Sequence, residues 1–305
     1  MKKSIIVTGA SGYLGHELIK QILLSGTYNV VASTSNPRGL SEAFGGSKEL
    51  TCINRQELFT ETTLWNDAYA VVHLAFARRF RPNWEIANSI VYSKQVFEQV
   101  KKHGIQRLIN VSSQSVYGNA EELRTERTTI SPEMIYAMAK YAVEVVSDCI
   151  FEHCKDIKIC NIRLDSIAQN QNLLPRLVEQ AFHNNKLNLV GGKQIFSLLD
   201  VRDGAAAFLA LLNTPLDIWK RTYNVGWNNT VYTLTQLGNL VAKIAEAHGA
   251  GCVKISLKTE DIRTYAGMDS SLFTADTGWK PQYSIEAIIE RSVEEYLAQA
   301  GGTNG

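Results

Sequence analysis

Ser4-Ile5-Ile6-Val7-Thr8-Gly9-Ala10-Ser11-Gly12-Tyr13-Leu14-Gly15 is the stretch that decides the fold. The run Ser4 to Thr8 is short and β-branched, and it reads as a strand buried on both faces. Gly9, Gly12 and Gly15 follow at three-residue spacing. From about Gly12 to Ser25 the apolar residues Leu14, Leu18, Ile19, Ile22 and Leu23 share one side of a helix. Strand, glycine turn and helix together make a cradle for a pyrophosphate. The glycines allow a sharp turn, and the free N–H groups of the helix start point at the anion. The spacing is Thr-Gly-x-x-Gly-x-x-Gly rather than the Gly-x-Gly-x-x-Gly fingerprint.

Working outward, apolar strands recur at Asn29 to Ser33, Ala70 to Ala75, Arg107 to Ser112 and Ile157 to Leu164. Helices fill the gaps, notably Glu85 to His103 and Pro132 to Cys154, and later Leu173 to Asn184 and Thr233 to His248. Alternation of this kind predicts a parallel sheet with helices on both faces. The expected fold is therefore α/β, a Rossmann-type doubly wound parallel sheet, with a smaller α/β substrate-binding region on its C-terminal side. Residues 1–165 are expected to form the dinucleotide-binding domain, with 193–224 returning to it. Residues 166–192 and 225–300 are assigned to the substrate region, and 301–305 to a flexible tail.

Composition narrows the function classes. Lys and Arg total 31 against 30 for Asp and Glu, a formal charge of +1, which gives no electrostatic case for nucleic acid or an anionic membrane. No apolar run reaches membrane-spanning length, and a strand begins where a secretory signal would need its apolar core. Cys52, Cys149, Cys154, Cys160 and Cys252 follow no metal-ligand spacing and read as buried thiols of a reducing compartment, so no metal is expected. The expected partners are a small-molecule substrate and a second copy of the chain in a homodimer, and the expected compartment is the cytoplasm.

A second motif, Tyr136-Ala137-Met138-Ala139-Lys140, places a phenol and an amine four residues apart on one helix face. A free tyrosine has a pKa of about 10 and is a poor base at neutral pH. A nearby ammonium favours the phenolate and moves Tyr136 toward the range of a general acid/base. With these motifs the chain resembles the extended short-chain dehydrogenase/reductases of the NAD-dependent epimerase/dehydratase type, from about Lys3 to Tyr296. The resemblance also rests on Val72-His73-Leu74-Ala75, Asn88, Val111 to Gly118, Val201-Arg202-Asp203, Tyr223-Asn224-Val225-Gly226 and Thr277-Gly278-Trp279-Lys280-Pro281.

The resemblance implies catalysis by Ser113, Tyr136 and Lys140, with Lys140 also reaching the nicotinamide ribose. It implies cofactor contacts from Gly9, Ser11, Gly12, Tyr13, Leu14, Gly15, Leu74 and Ala75. The end of the second strand, Ala32-Ser33-Thr34-Ser35-Asn36-Pro37-Arg38, carries no carboxylate for the two ribose hydroxyls. Thr34 and Arg38 suit a 2′-phosphate instead, so the NAD(P) expectation leans to NADP. The dehydratases of the family carry Asp-Glu after the serine or threonine. Gln114 and Ser115 stand here and cannot act as carboxylate acids or bases, which argues against dehydration.

Substrate signals are mixed. Asn172-Leu173-Leu174-Pro175 resembles the family element beside the nucleotide of a nucleotide sugar. Ser166 replaces a family asparagine, and Phe196 stands where the family's diphosphate-binding arginine falls; phenylalanine cannot hold phosphate. Ser113, Gln114, Asn172 and Phe196 are expected to line the substrate. Arg78, Arg79 and Arg81, just after a parallel strand, are expected to replace the missing guanidinium. The function so read is hydride transfer at a hydroxyl or keto carbon of a sugar, expected to be nucleotide-linked. Reduction of a non-sugar carbonyl compound and non-catalytic NADP sensing are the alternatives.

Overall fold

The computed structural model describes residues 2–119, 122–170, 172–227, 231–262 and 267–302. The chain begins β1 (Lys3–Thr8), α1 (Tyr13–Ser25), β2 (Tyr28–Ser33), α2 (Pro37–Ala43), β3 (Leu50–Ile53), α3 (Arg55–Thr60), α4 (Thr63–Asn66) and β4 (Ala68–His73). It continues α5 (Asn83–Lys102), β5 (Arg107–Ser113), α6 (Ile135–Phe151), β6 (Lys158–Leu164), α7 (Leu173–Asn184), β7 (Lys186–Val190), β8 (Ile195–Phe196) and α8 (Val201–Asn213). It ends β9 (Thr222–Val225), β10 (Tyr232–Thr233), α9 (Leu234–Ala247), β11 (Lys254–Lys258), α10 (Ser271–Thr277) and α11 (Ile285–Gly302).

Seven strands form one parallel sheet in the order β3-β2-β1-β4-β5-β6-β9. β1 is apolar at consecutive positions because both of its faces are covered. Ile5 and Val7 join the layer built with α1 and α8, while Ile6 faces the layer of α5 and α6. The winding reverses between β1 and β4, and in such sheets the crevice at that reversal receives ligands. The loops that leave the two strands meet there: a Cβ on Gly9 would lie 2.8 Å from the Ala75 backbone nitrogen.

A separate core joins α7, α9 and α11 through Leu177, Val178, Leu237, Val241 and Ile288. Parallel β7 and β11 edge it, and β8 pairs antiparallel with β10. Two expectations change here. α11 runs to Gly302, so the first two residues of the expected tail are helical, and 303–305 lie outside the described residues. Of the five free thiols only Cys160 is buried; Cys52 and Cys154 are half-buried and Cys149 and Cys252 exposed. No helix among the described residues is long and apolar enough to cross a membrane.

Candidate active site

One cleft of about 830 Å³ opens at the carboxyl ends of the strands. Gly9, Ser11, Gly12, Tyr13, Leu14 and Gly15 line its first wall. Gly9 has φ of 71°, which favours glycine, and a Cβ on Gly15 would come within 2.5 Å of the Gly9 carbonyl oxygen. Gly12 precedes α1 as its N-cap, with no side-chain cap and no acidic residue in the first turn. The first N–H groups of α1 have no intrahelical partner, and the residues that carry them line the cleft. The cradle thus fits the diphosphate of a dinucleotide.

Behind the cradle, His73 is buried between β1 and α5. Ser93 Oγ donates to the Ser89 carbonyl at 2.8 Å, so it accepts from His73 Nε2 at 2.8 Å, and His73 Nδ1 accepts from Thr8 Oγ1 at 2.8 Å. Burial, with Lys140 nearby, pushes the imidazole down to about 3, so it is a neutral strut. It ties β4 to β1 beneath the crevice.

The second wall carries Ser113, Tyr136 and Lys140. Ser113 ends β5, and Tyr136 and Lys140 lie one turn apart on α6. Ser113 Oγ accepts from Ser115 Oγ at 2.9 Å, and Tyr136 lines the cleft with it. Lys140 Nζ donates to the Val111 carbonyl at 2.7 Å and sits 4.0 Å from the Phe76 ring centre. Phe76 in turn meets Tyr136 edge-on at 5.8 Å.

The electrostatics bear on how Tyr136 is activated. Tyr136 is pushed up to about 12 by burial, opposed by the nearby Ser113 hydroxyl and by Arg79; Lys140 is not among the causes. Lys140 is itself pushed down to about 7 by burial, opposed by Glu144. Its Nζ lies 6.0 Å from the Tyr136 ring centre and is committed to Val111. In the chain alone, then, Lys140 does not bring Tyr136 toward neutrality.

The remaining expected residues divide. Leu74, Ala75, Arg78, Arg79, Gln114 and Asn172 line the cleft. Arg78 stands 5.6 Å over the Tyr13 ring, on the cradle side, whereas Arg79 acts on Tyr136. Arg81 does not join them: it makes a two-pronged bond to Glu85 at 2.7 and 2.8 Å, one helical turn on. Thr34 is buried at the end of β2, and its Oγ1 accepts from the Asn36 N–H. Arg38 points outward and pairs with Glu42 at 2.8 Å, so neither residue lines the cleft. Phe196 also lies outside it. It lines a smaller pocket of about 270 Å³ with Leu173, Arg176, Gln194 and Leu234.

Sequence reading missed Phe76, Arg124, Asp165 and Arg176. Asp165 had a visible signal, a carboxylate directly after a parallel strand; Arg124 sits in a polar stretch with no local pattern. Among the described residues no cluster of side chains could hold a metal.

The family model for the NAD dependent epimerase/dehydratase family matches residues 5–226, and the chain belongs to that family of extended short-chain dehydrogenase/reductase enzymes. Relatives include an uncharacterized UDP-glucose epimerase of Bacillus subtilis (strain 168), 25% identical over 73% of this chain and 76% of its own length. A dTDP-glucose 4,6-dehydratase of Neisseria gonorrhoeae is 25% identical over 97% of this chain and 96% of its own. In fold, the chain is similar to UDP-glucuronic acid 4-epimerase from Bacillus cereus, solved in complex with NAD. That likeness has a TM-score of 0.82 at 22% identity, over 97% of this chain and 99% of that one.

Proposed function

We propose that this enzyme acts on a nucleotide-linked sugar, as an NAD(P)-dependent epimerase or keto-reductase working at a hydroxyl or keto carbon. The observation that carries this reading is that Ser113, Tyr136 and Lys140 line the same cleft as the glycine cradle. When bound, the nicotinamide supplies the hydride acceptor or donor. Ser113 and the Tyr136 hydroxyl hold the reacting oxygen between them. A phenol held at about 12 keeps its proton at neutral pH and can donate it to a forming alkoxide. To act as a base it needs positive charge close by, and Arg79 is the cation of this chain that already acts on it.

Arg78, beside Tyr13, is assigned to the cofactor diphosphate, and Arg79 to an anionic group of the substrate. The pocket between α7 and β8 takes the nucleotide end, where Arg176 stands beside Phe196 and supplies the guanidinium that position 196 lacks. A preference for NADP(H) is supported by the absence of a carboxylate at the end of β2. Arg38 can turn from Glu42 to a 2′-phosphate, because an exposed ion pair of this kind is weak. We read the enzyme as a cytoplasmic homodimer.

Tyr136→Phe removes only the phenol oxygen. It should abolish turnover of UDP- and dTDP-sugars while leaving dinucleotide binding and the fold intact. Activity within a few-fold of the parent would take Tyr136 out of the chemistry.

A further inference from the structure

The Lys140 ammonium is buried, and the Val111 carbonyl accepts from it at 2.7 Å. An ammonium has three N–H donors, and a buried one needs more than a single carbonyl to offset its desolvation. Glu144 lies one turn further along α6 and favours the charge. Its carboxylate is shared, however. It accepts from Ser112 Oγ and takes Arg163 of β6 in two bonds, at 2.7 and 3.2 Å. His73, on β4, stays neutral and adds no charge. Tyr136 keeps its proton, and Arg79 acts on that phenol.

A further support is aromatic. Lys140 Nζ stands 4.0 Å from the centre of the Phe76 ring, over its face, well inside the reach of a cation–π contact. The same ring meets Tyr136 edge-on, with centres 5.8 Å apart and planes at 85°. Phe76 lines the cleft, and the residues on both sides of it are pinned. The Ala75 N–H donates to Thr8 Oγ1 at 3.4 Å, which ties it to β1. The Ala77 N–H donates to Ser89 Oγ of α5 at 3.0 Å, and that hydroxyl donates to the Glu85 carbonyl at 2.9 Å. The ring is therefore carried by two fixed elements. A leucine in its place would fill space but would offer the ammonium no negative face.

We infer that Phe76 is a positioning residue for this enzyme: its face holds the Lys140 ammonium in the charged form, and its edge-on contact sets Tyr136 in a fixed relation to that ammonium. Nζ lies 6.0 Å from the Tyr136 ring centre, with Phe76 against both groups. The inference rests on the reading of Tyr136 and Lys140 as working groups of a nucleotide-sugar enzyme.

The test uses the full chain labelled with carbon-13 at lysine Cε and followed by NMR from about pH 5 to about pH 10. The Lys140 signal is the one absent from the Lys140→Met spectrum. In the parent its protons should be displaced upfield by the ring face. Phe76→Leu should cancel that displacement and move the Lys140 titration to lower pH, so that the ratio of ammonium to amine at neutral pH falls about 3- to 10-fold. Phe76→Tyr keeps the face and should titrate as the parent does. Turnover of UDP-glucose and dTDP-glucose with NAD⁺ added should split in the same way. The kcat of Phe76→Leu should be about 10-fold lower and that of Phe76→Tyr near the parent, with KM within about twofold in both. Circular dichroism checks folding, and the parent spectrum decides the contact even where a variant does not fold. A parent Lys140 signal without upfield displacement overturns the inference. So does an unmoved titration or an unchanged kcat in Phe76→Leu, or a Phe76→Tyr chain that behaves like Phe76→Leu. If the parent turns over neither sugar nucleotide, the nucleotide-sugar reading fails, and the Lys140 titration still decides whether Phe76 holds the ammonium.

Discussion

Replacing Lys140 by methionine should stabilise the protein at neutral pH while destroying its activity. The amine is buried, and burial lowers its pKa from 10.5 to about 7. The unfolded chain therefore binds more protons than the folded one between those values. The Lys140 contribution to stability is fully present above 10.5 and is lost as pH falls through about 7. At 1.36 kcal/mol per unit, keeping the charge in place at pH 7 costs about 4 kcal/mol. Methionine fills a similar volume in α6 without the charge. It forfeits the Nζ bond to the Val111 carbonyl, about 1 kcal/mol. The net gain at pH 7 is about 3 kcal/mol. By pH 10 the cost in the parent has fallen to about 1 kcal/mol and the advantage disappears. Urea unfolding of parent and variant from pH 7 to pH 10 reads this directly. The difference between the two curves isolates Lys140 from tyrosines and cysteines that titrate in both proteins. A difference that stays flat with pH, or a variant less stable than the parent at pH 7, would refute the reasoning.

Two further variants test the ligand assignments. Arg38→Ala should weaken NADPH binding, followed by fluorescence, more than NADH binding, because only NADPH carries the 2′-phosphate; equal losses would leave the lean to NADP without support. Arg176→Ala, on an exposed face of α7, should weaken UDP or dTDP binding about 10-fold in calorimetry with NADH binding unchanged. An unaltered nucleotide affinity would show that the α7 pocket holds something else.

The fold was legible because its signals are local. A doubly covered strand must be apolar at every position, and Ile5, Ile6 and Val7 are. The strand–glycine–helix order then fixes where the sheet reverses. What escaped notice were elements too short to show a period: β3 has four residues, Leu50–Ile53, two of them Thr51 and Cys52, and α4 also has only four. The arginines expected on ligands show a different limit. Arg81 and Arg38 each precede a glutamate by four residues, and in the structure each pairs with it. That spacing is written in the sequence: Arg38 and Glu42 share α2, and Arg81 reaches Glu85 in the first turn of α5 from just before the helix.

The substrate wall shows where single-chain reading stops. Gln114 looked like a lone replacement for a missing carboxylate, yet a carboxylate stands beside it, 51 residues later in the chain. The parallel register pairs Ser113 with Leu164, so the residues that follow, Gln114 and Asp165, leave adjacent strands side by side. Nothing local to either motif announces this, because the contact is set by β5 lying next to β6. Once strand order is known the pairing follows from counting, and an acid after one strand finds an amide after its neighbour. The loss of an acid at position 114 therefore does not empty this wall of charge. It moves the carboxylate one strand over and leaves it accepting from Gln114, the Ser166 N–H and Ser197.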